Sequence, residues 1–377
     1  VKILVIPAWY PNAFHSWGSY FVDQAEAVAS LGHNVSVLFP ALYSPKWILK
    51  KGNILLGYRR STRNGVEHFF HYLIKTHWSS WDRRRNFKVG QQLFARYLQE
   101  KGKPEIIHLQ SYWNGDLALW IRRTYGIPYV ITEHFTGFER GLVQGKERDL
   151  ALEVFQNAQS RAAVSDVFGR KMKKAFDCDF ISIPNIVPLK EFVKTPLKKN
   201  GPEIFLFVGD LLPKKNPMNL LQAFVEFCKE QPDSELRFIG DGPEQKKLKD
   251  FVQKKGLKQV SFLGRLDRQS VAKELQKASC LVSPSLHETF GVVVIEAMAV
   301  GRPSLVTQSG GPEELVARHD CGVIAEGFDD TSLLKGLRMI SQRAWDSGRL
   351  SQKAQGYSPE KIGQLILKFY SSGLKHG

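Results

Sequence analysis

The chain has 377 residues, of which 43% are hydrophobic and 24% charged, enough for two folded domains with separate cores. No apolar run reaches the ~18 residues of a spanning helix, and no repeat or low-complexity segment is present. The formal net charge of +16 is uneven, with 29 Lys and Arg against 16 Asp and Glu in residues 1–200.

Apolar runs at 1–6, 35–39, 106–109, 129–132 and 161–164 predict the strands of a parallel sheet. Amphipathic stretches at 19–31, 87–101 and 116–125 predict the helices between them. This alternation implies α/β units with right-handed crossovers. The start of the chain is too short for a secretory leader and has no small-residue cleavage site. Residues 188–202, rich in Pro and Lys, read as a linker. The pattern then resumes, with strands expected at 204–208, 236–239, 260–263, 280–284 and 304–307 and a terminal amphipathic helix at 358–374. Two Rossmann-like α/β domains facing a central cleft are expected, the first spanning 1–195 and the second 196–357. The helix in 358–377 is expected to cross back to the first domain. Ligands of open parallel sheets bind beyond the carboxyl ends of the strands.

Cys178, Cys228, Cys280 and Cys321 are scattered and form no C-x-x-C pair. They read as reduced thiols in a cytoplasmic protein. Between Lys46 and Lys103 there are 14 basic residues, opposed by Glu67, Asp82 and Glu100 alone. Trp47, Tyr58, Trp78, Trp81 and Phe87 interleave with them. Such a surface suits an anionic membrane or another polyanion; a plain solvated basic face is the alternative.

The most informative segment begins at His287-Glu288-Thr289-Phe290-Gly291-Val292 and runs through Glu296 to Gly301-Arg302-Pro303. It places a loop carboxylate, Glu288, before a helix opened by Phe290-Gly291. The first amides of that helix, at Gly291 and Val292, have no intrahelical partner and suit phosphate oxygens. Glycine lets the backbone approach closely. Glu296 can accept hydrogen bonds from both hydroxyls of a ribose. Taken singly, Glu288 reads rather as a helix cap and Glu296 as a surface residue. Together they resemble the E-x7-E signature of glycosyltransferase family 4, within its Gly and Ala-Met-Ala surroundings. Further segments in the family's order are Ala163-Val164-Ser165, Ile183-Pro184-Asn185, Phe238-Ile239-Gly240-Asp241-Gly242-Pro243 and Ser309-Gly310-Gly311-Pro312-Glu313-Glu314.

The resemblance implies a GT-B fold and a retaining hexosyltransferase. It also implies a nucleoside-diphosphate sugar donor, no metal and no other cofactor. Catalytic roles pass to His134, Glu288 and Lys215. Donor binding passes to Gly18, Ser19, Asp210, Phe290, Gly291, Val292 and Glu296. Asp210 stands where the family has Arg in its diphosphate segment. Either Asp210 turns away, or Lys214 or Arg265 substitutes. Gly18-Ser19, after Trp17, takes the place of the family's Gly-Gly loop. His134 lies just past a strand, where the family places a residue near the donor's reacting carbon. Pro7-Ala8-Trp9-Tyr10-Pro11 resembles members that build surface polysaccharides. A glycan or lipid-linked acceptor is implied, with Arg83-Arg84-Arg85 near Trp78 and Trp81 as the candidate contact with an anionic membrane. Rival readings are a nucleotide-sugar epimerase of the same fold and a non-catalytic polyanion-binding protein. No nucleic-acid motif is present, and no G-x-G-x-x-G follows the first strand.

Overall fold

The computed structural model describes residues 1–11, 18–45, 56–76, 79–196 and 201–374. It divides into two compact units, Val1–Ile186 with Pro359–Gly377 and Val187–Ser358.

Unit 1 holds an eight-stranded sheet of β1 (Lys2–Pro7), β2 (Asn34–Tyr43), β3 (Gly57–Arg63), β4 (Val66–Ile74), β5 (Ile106–Gln110), β6 (Tyr129–Glu133), β7 (Ser160–Ala163) and β8 (Ile181–Ser182). The spatial order is β3-β4-β2-β1-β5-β6-β7-β8. Its helices are α1 (Ser19–Ser30), α2 (Ser79–Lys101), α3 (Gly115–Tyr125), α4 (Lys146–Asn157) and α5 (Asp166–Phe176). Strands β1, β5 and β6 are almost wholly buried, which is why they read as continuous apolar runs rather than alternating ones. One pair breaks the parallel rule: β3 runs antiparallel to β4, with Arg63 opposite Val66. Asn64 and Gly65 between them both adopt positive φ, the geometry of a two-residue hairpin turn.

Unit 2 holds a parallel sheet of β9 (Ile204–Val208), β10 (Glu235–Ile239), β11 (Val260–Gly264), β12 (Cys280–Ser283), β13 (Ser304–Val306) and β14 (Gly322–Ile324), in the order β11-β10-β9-β12-β13-β14. Among the described residues, the helices that accompany it are α6 (Pro217–Glu230), α7 (Gln245–Lys255), α8 (Arg268–Lys277), α9 (Val292–Ala299), α10 (Gly311–His319), α11 (Asp330–Gln342) and α12 (Ser347–Ala354). The chain then returns to unit 1 as α13 (Pro359–Leu374), whose Ile362, Ile366, Phe369 and Tyr370 join the core formed by β1, α1 and β2. In both sheets the strand order reverses at the centre, between β1 and β5 and between β9 and β12. Loops at such switch points are where this architecture accommodates ligands.

The segment expected to act as a linker is instead packed on unit 2 over residues 187–196. Arg302 explains this. The residue is 1% exposed, and its guanidinium donates to the carbonyls of Ala278, Gln276, Val300, Gly301, Thr195 and Pro196 and to the Thr195 hydroxyl. The Arg of Gly301-Arg302-Pro303 is therefore a structural rivet. Residues 197–200, also in the expected linker, lie outside the described residues, as do Trp17, Lys46, Trp47 and Trp78. Among the described residues, all four cysteines are free thiols, and no helix is long and apolar enough to cross a membrane.

Candidate active site

The unit 2 site is assembled by three loops. β12 ends at Ser283 and the chain re-enters helix at α9, capped by Gly291 at φ 90°. A Cβ at Gly291 would sit 2.8 Å from Pro312 Cγ, so glycine is required both by the backbone angle and by space. No side chain caps α9, so its first amides stay suited to an anion. The loop preceding it is stitched to the loop after β13. Glu288 N–H donates to Ser309 O at 3.0 Å, and Gly311 N–H donates to Glu288 O at 2.8 Å. A Cβ at Gly311 would lie 2.3 Å from Phe290 Cα. The second glycine of Gly310-Gly311 thus permits this backbone contact.

The third loop follows β9. Leu286 N–H donates to Lys214 O at 2.8 Å, joining it to the Glu288 loop. A short helical turn, Pro213–Lys215, then delivers the Lys215 ammonium to the Glu288 carboxylate, an ion pair with both side chains about one-fifth exposed. Glu296, in the middle of α9, is 8% exposed. Val292 is half-buried. The Phe290 ring is buried, 6.0 Å from the ring of Tyr357, so that residue meets the site through its backbone. Asp210 is not alone in its region: Arg265, just after β11, holds its carboxylate at 3.1 Å. Arg265 is one of the two bases that sequence pointed to.

Two buried hydroxyls nearby were given no role by sequence analysis. Ser285 Oγ and Ser309 Oγ, on the loops flanking Glu288, have no hydrogen-bond partner among the described residues. Buried polar groups of this kind are uncommon in folded proteins.

Unit 1 brings Gly18, Ser19 and His134 together. Gly18 begins α1 at φ 84°, where a Cβ would press on Trp9 and Phe21 at 3.0 Å. Ser19 opens the helix and Tyr20 follows it. The Tyr20 ring stacks on His134 at 5.2 Å and 19°, and Phe21 meets the same imidazole edge-on at 4.9 Å. Trp9 Nε1–H donates to the Tyr20 hydroxyl at 3.0 Å, so the loop after β1 takes part. Burial, reinforced by His108, holds the His134 pKa well below the ordinary value.

Glu133 clamps this region. Its Oε1 accepts from Ser111 Oγ at 2.6 Å, His134 N at 2.8 Å and Phe135 N at 2.9 Å, and its Oε2 accepts from Tyr112 N at 3.1 Å. The carboxylate ties the loop after β5 to the loop after β6, and Ser111 adopts φ 70° as it does so. Complete burial nonetheless pushes the Glu133 pKa up to about 7. Behind it, His134 Nε2 lies 2.7 Å from Gln110 Oε1. Neither Glu133 nor Gln110 was singled out from sequence. The available signal was a polar residue ending an otherwise apolar strand, a position that must be hydrogen-bonded if buried.

The basic surface is partly neutralised. Arg83 pairs with Glu147 and Asp116, and Arg85 pairs with Asp82 and lies 4.4 Å over the exposed Trp81 ring. Arg84 is exposed. Arg60 bridges Glu67 and Glu100 at 2.8 Å each.

The chain matches the family model for glycosyl transferases group 1 over residues 190–356 and that for the glycosyl transferase 4-like domain over residues 17–173. An uncharacterized glycosyltransferase of Methanocaldococcus jannaschii is 38% identical over 64% of this chain, an alignment that spans 65% of the archaeal protein. The phosphatidyl-myo-inositol mannosyltransferase of Mycolicibacterium smegmatis is 25% identical over 94% of this chain and 89% of its own. Among solved structures, that of Anabaena HepE in complex with UDP superposes with a TM-score of 0.74 at 18% identity, covering 99% of this chain and 100% of the other.

Proposed function

Given that the chain belongs to the family-4-like glycosyltransferases of group 1, with the GT-B fold, we propose that it moves a hexose from a nucleoside-diphosphate sugar to a hydroxyl of a glycan or lipid-linked acceptor, with retention and without a metal. The observation that carries this reading is the junction of Lys215, Glu288 and the uncapped α9 start at the carboxyl ends of β9 and β12.

Negative charge grows on the leaving diphosphate as the glycosidic bond breaks. The α9 amides and the Lys215 ammonium are the groups assigned to stabilise it. The ion pair keeps the ammonium neutralised until a diphosphate draws it away. Glu288 is then released to accept from sugar hydroxyls. Glu296 is assigned the ribose diol, and His134 of unit 1 the sugar ring. Arg265 offsets Asp210 within the diphosphate segment. No protein nucleophile is assigned: the leaving phosphate takes the acceptor proton, and positioning supplies several kcal/mol. UDP in the Anabaena structure supports a nucleoside diphosphate as leaving group, and the mycobacterial relative's lipid substrate supports a lipid-linked acceptor. The exposed Trp81 and Arg84 fit contact with an anionic bilayer on the cytoplasmic side, in surface-polysaccharide synthesis.

The deciding experiment is thermal-shift and calorimetric binding of UDP, GDP, ADP and dTDP in EDTA, with Glu296→Ala alongside. One diphosphate should stabilise the protein selectively, and the variant should lose that response. Folded protein that answers to none of them would move the polyanion-binding reading to the front. Pelleting with phosphatidylglycerol vesicles tests the surface contact, which fails if no protein sediments at low salt.

A further inference from the structure

His134 ends a chain of buried polar side chains that no feature of the donor loops requires. Gln110 Oε1 meets His134 Nε2 at 2.7 Å. The other end of the same amide, Nε2, donates to Gln24 Oε1 at 2.8 Å and approaches His108 Nδ1 at 3.3 Å. Gln24 in turn donates through Nε2 to Asn185 Oδ1 at 3.4 Å. His108 Nδ1 lies 2.8 Å from the Tyr370 hydroxyl, and its Nε2 lies 2.8 Å from Thr132 Oγ1. Every side chain in this network is at most 5% exposed; Gln24 lies on α1, His108 and Gln110 on β5, Thr132 on β6, His134 just after β6 and Tyr370 on α13.

With the amides oriented as they are in the structure, the donor and acceptor rules fix the protons along this path. An amide oxygen only accepts, so the His134 nitrogen facing Gln110 must carry the proton. Turned over alone, the Gln110 amide would set its oxygen against Gln24 Oε1; the opposite orientation needs Gln24 and Asn185 to turn with it. His108 accepts at Nδ1 from Tyr370 O–H and donates from Nε2–H to Thr132. Burial holds both imidazoles neutral, and the His108 pKa falls to about 3. The titratable groups around His134 are Tyr20 on α1, His108 on β5 and Glu133 on β6.

We propose that Gln110 is a positioning residue: it fixes His134 as the neutral Nε2–H tautomer and sets the ring plane, so that Nδ1 is the acceptor nitrogen of the imidazole. The proposal rests on the transferase reading for its consequence in catalysis, but not for the tautomer itself. The neutral tautomer matters because a sugar hydroxyl presents a proton to Nδ1, whereas an imidazolium would offer none of that acceptance. Gln110 acts through His134.

The test begins with wild-type protein labelled with 15N-histidine, its 10 histidines reduced to the relevant signal by comparison with His134→Ala. Two-bond 1H–15N correlations should show Nε2 protonated. A wild-type ring protonated at Nδ1 overturns the proposal without any further variant. Gln110→Leu and Gln110→Glu are then compared. The Leu variant should lose the single tautomer and reduce turnover of whichever of UDP-glucose, GDP-mannose or ADP-glucose the wild type uses by roughly 10–100-fold, the scale expected for lost positioning. Nucleoside-diphosphate affinity should stay within two-fold. The Glu variant should place a carboxylate against Nε2–H and add an ionisation to the pH profile, which a residue serving only stability would not do. A Leu variant that keeps the Nε2–H signature, or turnover within two-fold of wild type, refutes the role of Gln110. A tautomer that shifts as expected in a protein that turns over none of the three donors leaves that role standing and removes the transferase reading.

Discussion

His108 Nδ1 and the Tyr370 hydroxyl lie 2.8 Å apart although 262 residues separate them along the chain. The bond joins β5, near the middle of the unit 1 sheet, to α13. Both groups are fully buried in the interior of that unit, and the Tyr370 pKa is driven upward by burial. The hydroxyl therefore stays neutral, and it donates where His108 accepts at Nδ1. Tyr370→Phe leaves His108 Nδ1 without that donor in a dry site, which costs about 1–3 kcal/mol. Urea titration should show a lower midpoint with an unchanged slope. An unaltered midpoint would mean that α13 is held by its apolar contacts alone.

Much of the architecture was legible because parallel strands buried on both faces read as unbroken apolar runs, as 106–109 and 129–132 do. The hairpin was missed for the opposite reason. β3 is Gly-Tyr-Arg-Arg-Ser-Thr-Arg, an edge strand exposed over most of its length, and nothing in its hydrophobicity marks it. Only Asn64-Gly65 signalled a turn there. At the site, Glu288 and Lys215 were picked out through the family resemblance, whereas their ion pair, which spans 73 residues, was not foreseen. Gln110 and Glu133 were illegible because their meaning lies in partners brought from other strands. Arg302 looked like part of a signature, and only the fold reveals the main-chain and hydroxyl acceptors gathered around it.

Acid should act on unit 1 in two opposing ways. His108 and His134 have native pKa values depressed by burial, to about 3 for His108, below the unfolded value of 6.5. Their contribution is complete above pH 6.5 and is lost as pH falls from there towards the native values. Glu133 is raised from 4.5 to about 7, so its contribution is largest below pH 4.5 and is lost as pH rises to 7. Between pH 7.5 and 5 the carboxyl thus offsets part of what the histidines lose. Glu133→Gln removes the offset. Its drop in unfolding free energy from pH 7.5 to pH 5 should exceed that of wild type, whatever its stability at pH 7.5. An equal or smaller drop contradicts this account.

Gly291→Ala should damage the α9 start. The left-handed backbone costs an alanine roughly 1–2 kcal/mol, and the added methyl meets Pro312 at 2.8 Å. The loops around Glu288 and Gly311 must then part, moving the amides assigned to the diphosphate. Affinity for the preferred nucleoside diphosphate should fall by at least ten-fold while the melting temperature falls by only a few degrees. A variant that loses stability but binds the nucleotide as tightly as wild type would show that the amides are not its ligands.

The final prediction concerns Asp210 and Arg265, whose side chains meet at 3.1 Å. If the diphosphate binds along this segment, Arg265 serves twice, by attracting the phosphates and by cancelling the carboxylate. Arg265→Ala should then weaken nucleotide binding about ten-fold, the effect of one lost charge contact of 1.4 kcal/mol. Asp210→Asn alone should leave affinity unchanged or improve it, because the freed guanidinium turns wholly to the ligand. Combining the two should recover part of the loss, since the repulsive carboxylate is gone as well. Such coupling between neighbours is what a double-mutant cycle measures. A double variant as weak as Arg265→Ala would mean that the Asp210 carboxylate does not act on the ligand and that the departure from the family's arginine is compensated elsewhere.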